Sequence, residues 1–328
     1  MSNAIRVVQV GAGAMGQAWL RAIDASPDVE LAGLVDLDVE VARAAATPYD
    51  VPVAATLSQL DVPADAVVNV TVPPAHRPVS VEAMRLGLPV LCEKPIAPTV
   101  AEALEMIRVS AETGQLLMIS QSRRYYNAFI EFRRLAGALG TIGLVSCEFL
   151  KAPRFGGFRD EMAEPLLVDM AIHQFDAARA LLGEDPLSVY CESYNPPWSW
   201  YDGNAAANAV FEFASGARFV FNGSWCSPGL ETSWNGSWRV SAEHGSATWD
   251  GDHALAVEGP IGGIELGDEP EELAGSLREF VHCLRTGETP GTEASRNVHS
   301  LAMVEAAVLS ATERRRVVIA EILAAATA

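Results

Sequence analysis

The spacing of apolar positions predicts alternating strands and helices over residues 1–121. Short, mostly apolar and β-branched runs are separated by segments with apolar residues at helical spacing. The predicted strands are 5–10, 31–36, 53–54, 66–72, 89–92 and 116–120. Continuously apolar strands are typical of a sheet covered on both faces, and alternation with helices favours parallel pairing. We therefore expect an α/β domain with a doubly wound parallel sheet.

The pattern changes after residue 121. Runs that alternate apolar and polar positions indicate strands with one buried face. The predicted strands are 143–150, 187–194, 206–214, 217–225, 236–242, 246–250 and 253–258. The predicted helices are 127–138, 166–182, 271–286 and 294–312, the last two closing the chain. Residues 122–328 are therefore expected to form an α+β domain on a large, mostly antiparallel open sheet.

Composition and charge exclude several classes of protein. The 328 residues suggest about two domains, and 49% hydrophobic content excludes a disordered chain. The longest apolar runs fall short of the roughly 18–20 residues that cross a membrane. A net charge of −19 argues against nucleic acid and membrane as partners. The N-terminus lacks a secretory signal, and the five cysteines are widely spaced, so a cytoplasmic location is expected.

A glycine motif between the first strand and the first helix predicts a dinucleotide site. It comprises Gly11, Ala12, Gly13, Ala14, Met15 and Gly16. Such a loop brings backbone N–H groups and a helix N-terminus to a pyrophosphate. The next strand ends at Asp36, which is expected to bind the adenosine ribose hydroxyls and to repel a 2′-phosphate. NAD is therefore favoured over NADP, unless Arg43 folds back toward the ribose.

Four further segments identify a resemblance to a known family. Cys92-Glu-Lys-Pro95, together with the glycine motif, resembles the glucose–fructose oxidoreductase, inositol dehydrogenase and rhizopine catabolism (Gfo/Idh/MocA) family. Thr71–His76, Gln121–Tyr125 and Asp169–Asp176 are similar to other segments of that family, with Ala171 replacing a glycine. The resemblance spans the chain. It implies a Rossmann domain over 1–121, and a substrate-binding domain over 122–328 whose sheet joins subunits into a homodimer or homotetramer.

The resemblance also implies roles for individual residues. His173 would be the general base and acid, Lys94 would hydrogen-bond the reacting oxygen, and Asp169 would bind substrate hydroxyls or orient His173. Asp176 would be structural. The implied cofactor-binding residues outside the glycine motif are Asp36, Thr71, Pro73, His76, Glu93, Lys94 and Gln121. The implied substrate-binding residues are Lys94, Arg124, Arg154, Asp169 and His173.

The helix that carries His173 allows two interpretations. Asp169, His173 and Asp176 are spaced i, i+4 and i+7, so they are expected to share one helix face. A carboxylate there would orient the imidazole or raise its pKa, whereas the alternative is a structural His–Asp pair. The remaining histidines lack the spacing of metal ligands, so no metal site is expected.

Several aromatic and basic residues are candidates for the lining of a substrate site, and each also has a structural interpretation. Six of the seven tryptophans lie between Trp198 and Trp249, where they would stack on sugar C–H faces or fill the core or an oligomer interface. Arg154 and Arg159 would bind a substrate carboxylate or phosphate, or pair with the protein's own acids.

The resulting prediction is an NAD-dependent oxidoreductase. It would transfer a hydride between nicotinamide and a secondary alcohol or ketone of a sugar, cyclitol or related polyol. One alternative is an NAD-dependent glycosidase with a transient redox cycle and no net NADH release. The other is a non-catalytic NAD-binding regulator, which the presence of both Lys94 and His173 disfavours.

Overall fold

The computed structural model describes residues 4–327 and divides them into two units. The first unit contains the chain up to Ser122 together with Pro270–Val298. The second contains Arg123–Glu269 and the chain from His299 onwards. Within the described residues, no helix is both long and apolar enough to cross a membrane.

The first unit is built on a parallel sheet of order β3-β2-β1-β4-β5-β6, as predicted. Its strands are β1 (Ile5–Val10), β2 (Val29–Val35), β3 (Val53–Ala54), β4 (Ala66–Asn69), β5 (Val90–Glu93) and β6 (Leu117–Ser120). The connecting helices are α1 (Ala14–Asp24), α2 (Val39–Ala46), α3 (Pro73–Arg85) and α4 (Val100–Thr113). Strands β4, β5 and β6 are buried along their whole length, because helices cover both faces. All carboxyl ends meet at one edge, where the predicted cofactor residues follow.

The division between the units differs from the predicted domains, 1–121 and 122–328, chiefly in one segment, Pro270–Val298. Helix α7 (Glu272–Thr286) and the start of α8 (Ala294–Glu313) belong to the first unit, where α7 packs against α1 and β6. Strand β6 is the edge of the sheet, and its backbone needs partners there. Ile119 N accordingly donates to Thr292 O at 3.0 Å. The amphipathic pattern of α7 did not reveal which sheet it covers.

The second unit is built on a sheet of order β13-β12-β11-β7-β10-β9-β8-β14. Its strands are β7 (Ile142–Leu150), β8 (Pro186–Tyr194), β9 (Ala206–Phe213), β10 (Arg218–Ser224), β11 (Ser237–Ala242), β12 (Gly245–Trp249), β13 (Leu255–Glu258) and β14 (Val317–Val318). Strands β7 and β10 pair in parallel, and the other neighbours are antiparallel, so the sheet is mostly antiparallel as predicted. The sequence predicted two helices as the last elements. Instead, β14 and a further helix, α9 (Ile319–Ala325), follow α8.

One face of this sheet is buried and the other is exposed. Helices α5 (Asn127–Ala138) and α6 (Ala171–Leu182) pack on the buried face, where the Phe175 ring lies 4.8 Å from that of Phe211. The opposite face carries apolar side chains in an exposed position. They include Leu144, Leu187, Tyr190, Tyr194 and Val210.

The predicted helix 166–182 is not one regular helix. Residues Leu166–Met170 form a π-helical turn, and α6 begins only at Ala171. A π turn contains one more residue than an α turn. Asp169 therefore lies in the π turn and His173 in α6, rather than both in one regular α-helix. Insertions of this kind are frequent at functional sites, and a 3.6-residue period does not reveal them.

Candidate active site

The glycine loop of the first unit has the shape that the motif requires. Gly11 has a φ of +104°, and a Cβ there would lie 2.6 Å from the Val70 carbonyl oxygen. A Cβ on Gly16 would lie 2.4 Å from the Gly11 carbonyl oxygen. By contrast, nothing lies within 4 Å of a Cβ built on Gly13, the N-cap of α1. Gly11 and Gly16 therefore serve close packing, whereas Gly13 leaves the backbone open to a ligand.

Asp36 lies beside this loop, just after β2. Its Oδ2 accepts a hydrogen bond from Ala12 N at 2.8 Å, and its Oδ1 accepts one from Asp38 N at 3.0 Å. These two donors fix the carboxylate next to the loop. Arg43 pairs with Glu40 on the exposed surface of α2 and does not fold back onto Asp36. The cation that would have favoured a 2′-phosphate is therefore engaged elsewhere.

The Glu93-Lys94-Pro95 turn at the end of β5 is held by a buried carboxylate. Glu93 Oε1 accepts from Trp19 Nε1 at 2.8 Å, and Glu93 Oε2 accepts from Lys94 N at 3.0 Å. Burial raises the pKa of Glu93, and the Trp19 N–H bond opposes that rise. Glu93, predicted to contact the cofactor, thus has both carboxylate oxygens bonded to donors of its own chain.

A second side chain holds the same turn from its other end. His76 is fully buried in α3, with Nδ1 2.7 Å from Pro95 O and Nε2 3.0 Å from Thr71 O. Burial lowers the pKa of His76 and outweighs these two carbonyl oxygens, which raise it. Both ring nitrogens are thus directed at backbone carbonyls. This differs from the predicted cofactor contact, because the buried ring links Thr71 after β4 to Pro95 after β5.

Two further residues complete the sheet edge. Pro73 is the first residue of α3, a position that suits its fixed φ. Gln121 follows β6 and is buried, and its Nε2 has no hydrogen-bond partner among residues 4–327. Buried amide donors are normally satisfied, and a cofactor oxygen would satisfy this one. The open Gly13 backbone, the oriented Asp36 carboxylate and the Gln121 donor therefore fit a dinucleotide.

The second unit places the predicted acid and base at the start of α6. His173 is buried in the first turn of the helix, and Asp169 lies in the preceding π turn. Arg159 Nε donates to Asp169 Oδ2 at 2.7 Å. Of the two interpretations of Arg159, pairing with an acid of the protein is the one confirmed. The bond holds one oxygen of the Asp169 carboxyl group beside the Arg159 guanidinium.

Asp176 and Arg124 form a buried ion pair within the second unit. Arg124 Nε and Nη2 donate to the two Asp176 oxygens at 2.6 and 2.7 Å, and Ser300 Oγ donates to Asp176 Oδ1 at 2.6 Å. These contacts agree with the structural role expected of Asp176, which stays a prediction. Arg124 was predicted to bind substrate, but its guanidinium fork is directed at Asp176 instead.

Comparisons with known proteins show which family this chain resembles. Residues 5–121 match the Gfo/Idh/MocA model of an oxidoreductase family with an NAD-binding Rossmann fold, and residues 133–248 match the model of the Gfo/Idh/MocA C-terminal domain. An uncharacterized protein of Sinorhizobium fredii, y4oX, is 30% identical over 75% of this chain and 72% of its own. The chain belongs to the Gfo/Idh/MocA family.

Other members resemble this chain over its whole length. Inositol 2-dehydrogenase of Rhizobium meliloti is 24% identical over 96% of this chain and 99% of its own. An oxidoreductase of Agrobacterium radiobacter, solved with NAD⁺, L-tartaric acid and magnesium, shares the fold with a TM-score of 0.89 at 20% identity, covering 97% of this chain and 99% of that one. As a Gfo/Idh/MocA protein, the chain is an NAD(P)-dependent dehydrogenase with an NAD-binding Rossmann domain.

The tryptophans of this Gfo/Idh/MocA chain divide between core and surface. Trp225, Trp238 and Trp249 are buried, whereas Trp198 and Trp234 are 65% and 42% exposed. The core interpretation therefore holds for the first three residues. Arg154 is exposed, with its guanidinium carbon 4.0 Å from the centre of the Trp200 ring. Its predicted role in substrate binding stays a prediction.

The sequence analysis missed one residue that helps to hold the Glu93-Lys94-Pro95 turn. Trp19 falls at helical apolar spacing in α1, which indicates burial alone, and it is fully buried. Its indole N–H donates a hydrogen bond to Glu93, which lies 74 positions further along the sequence. The only available signal was that buried tryptophans usually need a hydrogen-bond acceptor.

Proposed function

We propose that this chain transfers a hydride between NAD and a secondary carbinol of a sugar, cyclitol or related polyol. The observation that carries the proposal is the fixed Glu93-Lys94-Pro95 turn. Two buried side chains, Glu93 and His76, hold it at the sheet edge that also carries the glycine loop. A lysine held in this way suits a catalytic group, because catalysis depends on preorganised donors.

Each residue has a defined task in carbinol oxidation. Bound NAD would supply the acceptor for the hydride of the carbinol carbon. His173 takes the hydroxyl proton, so that loss of the hydride and the proton leaves a ketone. Lys94 donates a hydrogen bond to the reacting oxygen and stabilises the charge that develops there. Asp169, held by Arg159, accepts hydrogen bonds from neighbouring substrate hydroxyls. A polyol supplies such hydroxyls next to the reacting carbon.

We further propose that NAD is preferred over NADP. The Asp36 carboxylate is fixed by Ala12 N and Asp38 N beside the glycine loop, where a 2′-phosphate would be repelled. Arg43, the nearby cation considered from sequence, pairs with Glu40.

Relatives and the residues of the candidate site support a polyol as the proposed substrate class. Several family members carry the name inositol 2-dehydrogenase, and the proposed acceptors and donors suit a ring rich in hydroxyl groups. The five cysteines are buried and form no disulfide bonds, which supports a location in the reducing cytoplasm.

The exposed sheet face supports self-association. Tyr190 of β8 pairs with Val210 of β9, and both side chains are exposed on the uncovered face. We propose that this apolar face joins two or four copies of the chain. Light scattering should show an oligomer, and Val210→Asp should split it. A monomeric wild-type protein would exclude the proposal.

Absorbance of NADH tests the activity directly. Purified protein is mixed with NAD and a panel of sugars, cyclitols and glycosides. A rise in absorbance with at least one polyol is expected, and Lys94→Ala and His173→Ala should each lower the rate about 10²–10⁴-fold. Matched controls are Lys151→Ala, whose lysine pairs with Glu231, and His253→Ala, whose histidine is exposed.

The outcomes separate the alternatives. Equal activity in all four variants would remove Lys94 and His173 from the reaction. Glycoside consumption without any NADH signal would replace the proposal with a redox-cycling glycosidase. Binding of NAD without turnover of any substrate in the panel would favour a regulator.

A further inference from the structure

Trp19 is a buried helix residue with a polar contact at the candidate active site. It lies in α1 with no exposed surface, and its Nε1 donates to Glu93 Oε1 at 2.8 Å. An apolar side chain of similar size would fill the same space. The indole N–H is therefore the feature that distinguishes Trp19 from ordinary core packing.

Glu93 transmits this contact to Lys94. A carboxylate that is more than nine-tenths buried is stable only when its oxygens are hydrogen-bonded. Trp19 bonds one oxygen, and the other accepts from the Lys94 backbone N–H at 3.0 Å. With Oε1 fixed by the indole, the carboxylate plane is fixed as well, and Oε2 is aligned with the N–H of Lys94.

The Glu93 bond restrains the backbone of Lys94, from which the side chain extends. Lys94 is the first residue after β5, where the ladder to its neighbour strands has ended. The strand pairing of β5 ends at Glu93, so the Glu93 bond restrains the Lys94 backbone where the sheet ladder does not. Burial raises the pKa of Glu93, and loss of the indole donor would raise it further, weakening the hold on Lys94.

We infer that Trp19 is a positioning residue for Lys94 and that it acts through Glu93. The inference rests on the proposed role of Lys94. It assigns a function in catalysis to a side chain in α1 that contacts neither the substrate nor the reacting atoms.

Three variants separate the hydrogen bond from the bulk of the ring. Trp19→Phe removes the N–H and keeps an aromatic ring in the core. Trp19→His keeps an N–H on a five-membered ring, at nearly the position of the indole N–H, and loses the six-membered ring. The control is Trp238→Phe, because Trp238 is equally buried and its Nε1 donates to Asn235 O at 2.8 Å in the second unit.

The first readout is steady-state kinetics with a substrate found in the NADH panel. Trp19→Phe should lower kcat about tenfold and leave KM within about twofold, since a mispositioned Lys94 weakens the transition state more than substrate binding. Trp19→His should recover most of the lost kcat. Trp238→Phe, although it loses a similar bond, should keep the wild-type kcat.

The second readout does not require activity. The chain contains only two lysines, Lys94 and Lys151, so protein labelled with ¹³C at lysine Cε gives two side-chain signals in NMR. Lys94→Arg assigns them. Trp19→Phe should shift the Lys94 signal and leave that of Lys151 in place, and Trp238→Phe should leave the Lys94 signal in place.

The two readouts keep the two proposals distinguishable. If no substrate is ever found, the proposed function fails, yet the NMR signal still tests the link from Trp19 to Lys94. If Lys94→Ala abolishes turnover but Trp19→Phe changes neither kcat nor the Lys94 signal, the positioning role is overturned and the function stands. Should Trp19→Phe not fold, an unshifted Lys94 signal together with wild-type kcat in Glu93→Gln would overturn it instead.

Discussion

Replacing Asp176 by asparagine should destabilise the second unit strongly. Asp176 is 2% exposed and Arg124 is 18% exposed, and the pair shares two short hydrogen bonds. Asparagine keeps the volume but removes the charge, and its amide group would face an Arg124 N–H. Hydrogen bonds to charged groups contribute about 1.5–3 kcal/mol each. Removing one partner of a buried pair costs about 3–5 kcal/mol, which we take as the expected loss.

Urea unfolding followed by tryptophan fluorescence measures this loss. The double variant Asp176→Asn/Arg124→Met should lose less than the sum of the single changes, because the two side chains interact directly. The exposed pair Arg108–Glu112, with side chains 62% and 54% exposed, serves as the control. Glu112→Gln should change the free energy of unfolding by only about 0.3–0.5 kcal/mol.

The same variant tests whether Asp176 is structural. Below the unfolding transition, kcat of Asp176→Asn should stay close to that of the wild type. A loss below about 1 kcal/mol combined with abolished turnover would refute the reasoning, since it would place Asp176 among the reacting groups.

Three other expectations concern the cofactor, pH and loop packing. Asp36→Ser should lower the ratio of kcat/KM for NAD to that for NADP, because the repulsion of a 2′-phosphate is removed; an unchanged ratio would exclude Asp36 from the ribose site. Burial lowers the pKa of His76 below 6.5, so its contribution to stability is present above that pH and is lost as the pH falls. Chemical unfolding from about pH 7 to pH 5 should show this loss, and His76→Phe should show less of it. Gly203→Ala should lower the melting temperature, because its Cβ would lie 2.2 Å from Ala163 O, whereas Gly137→Ala in open space should not.

Much of the fold was predictable because burial on both faces of a parallel sheet leaves a continuous apolar pattern. The strand at Val53–Ala54 and the helix Asn127–Ala138 have the predicted bounds. The return of Pro270–Val298 to the first unit was not predictable, because an amphipathic helix shows that it covers a surface but not which one. The short β14 is likewise fixed by pairing with β8 rather than by its own two residues.

The candidate site shows the same limit. Gly11 and Asp36 were predicted from the glycine motif and the end of the next strand, and Lys94 from the family resemblance of the Cys92–Pro95 segment. The partners that hold them, Trp19 above all, come from distant positions and carry no local pattern. The Arg124–Asp176 pair was missed for this reason, since only the tertiary structure brings Asp176 to the Arg124 guanidinium group.

The most direct measurement follows the hydride itself. A polyol substrate carrying deuterium on the reacting carbinol carbon is incubated with the protein and NAD, and the reduced cofactor is analysed by mass spectrometry. Direct hydride transfer predicts one deuterium in each NADH formed by the wild type. His173→Ala should form almost no NADH, labelled or unlabelled, in the same time. Consumption of the polyol with no deuterium in the cofactor would contradict the proposed function.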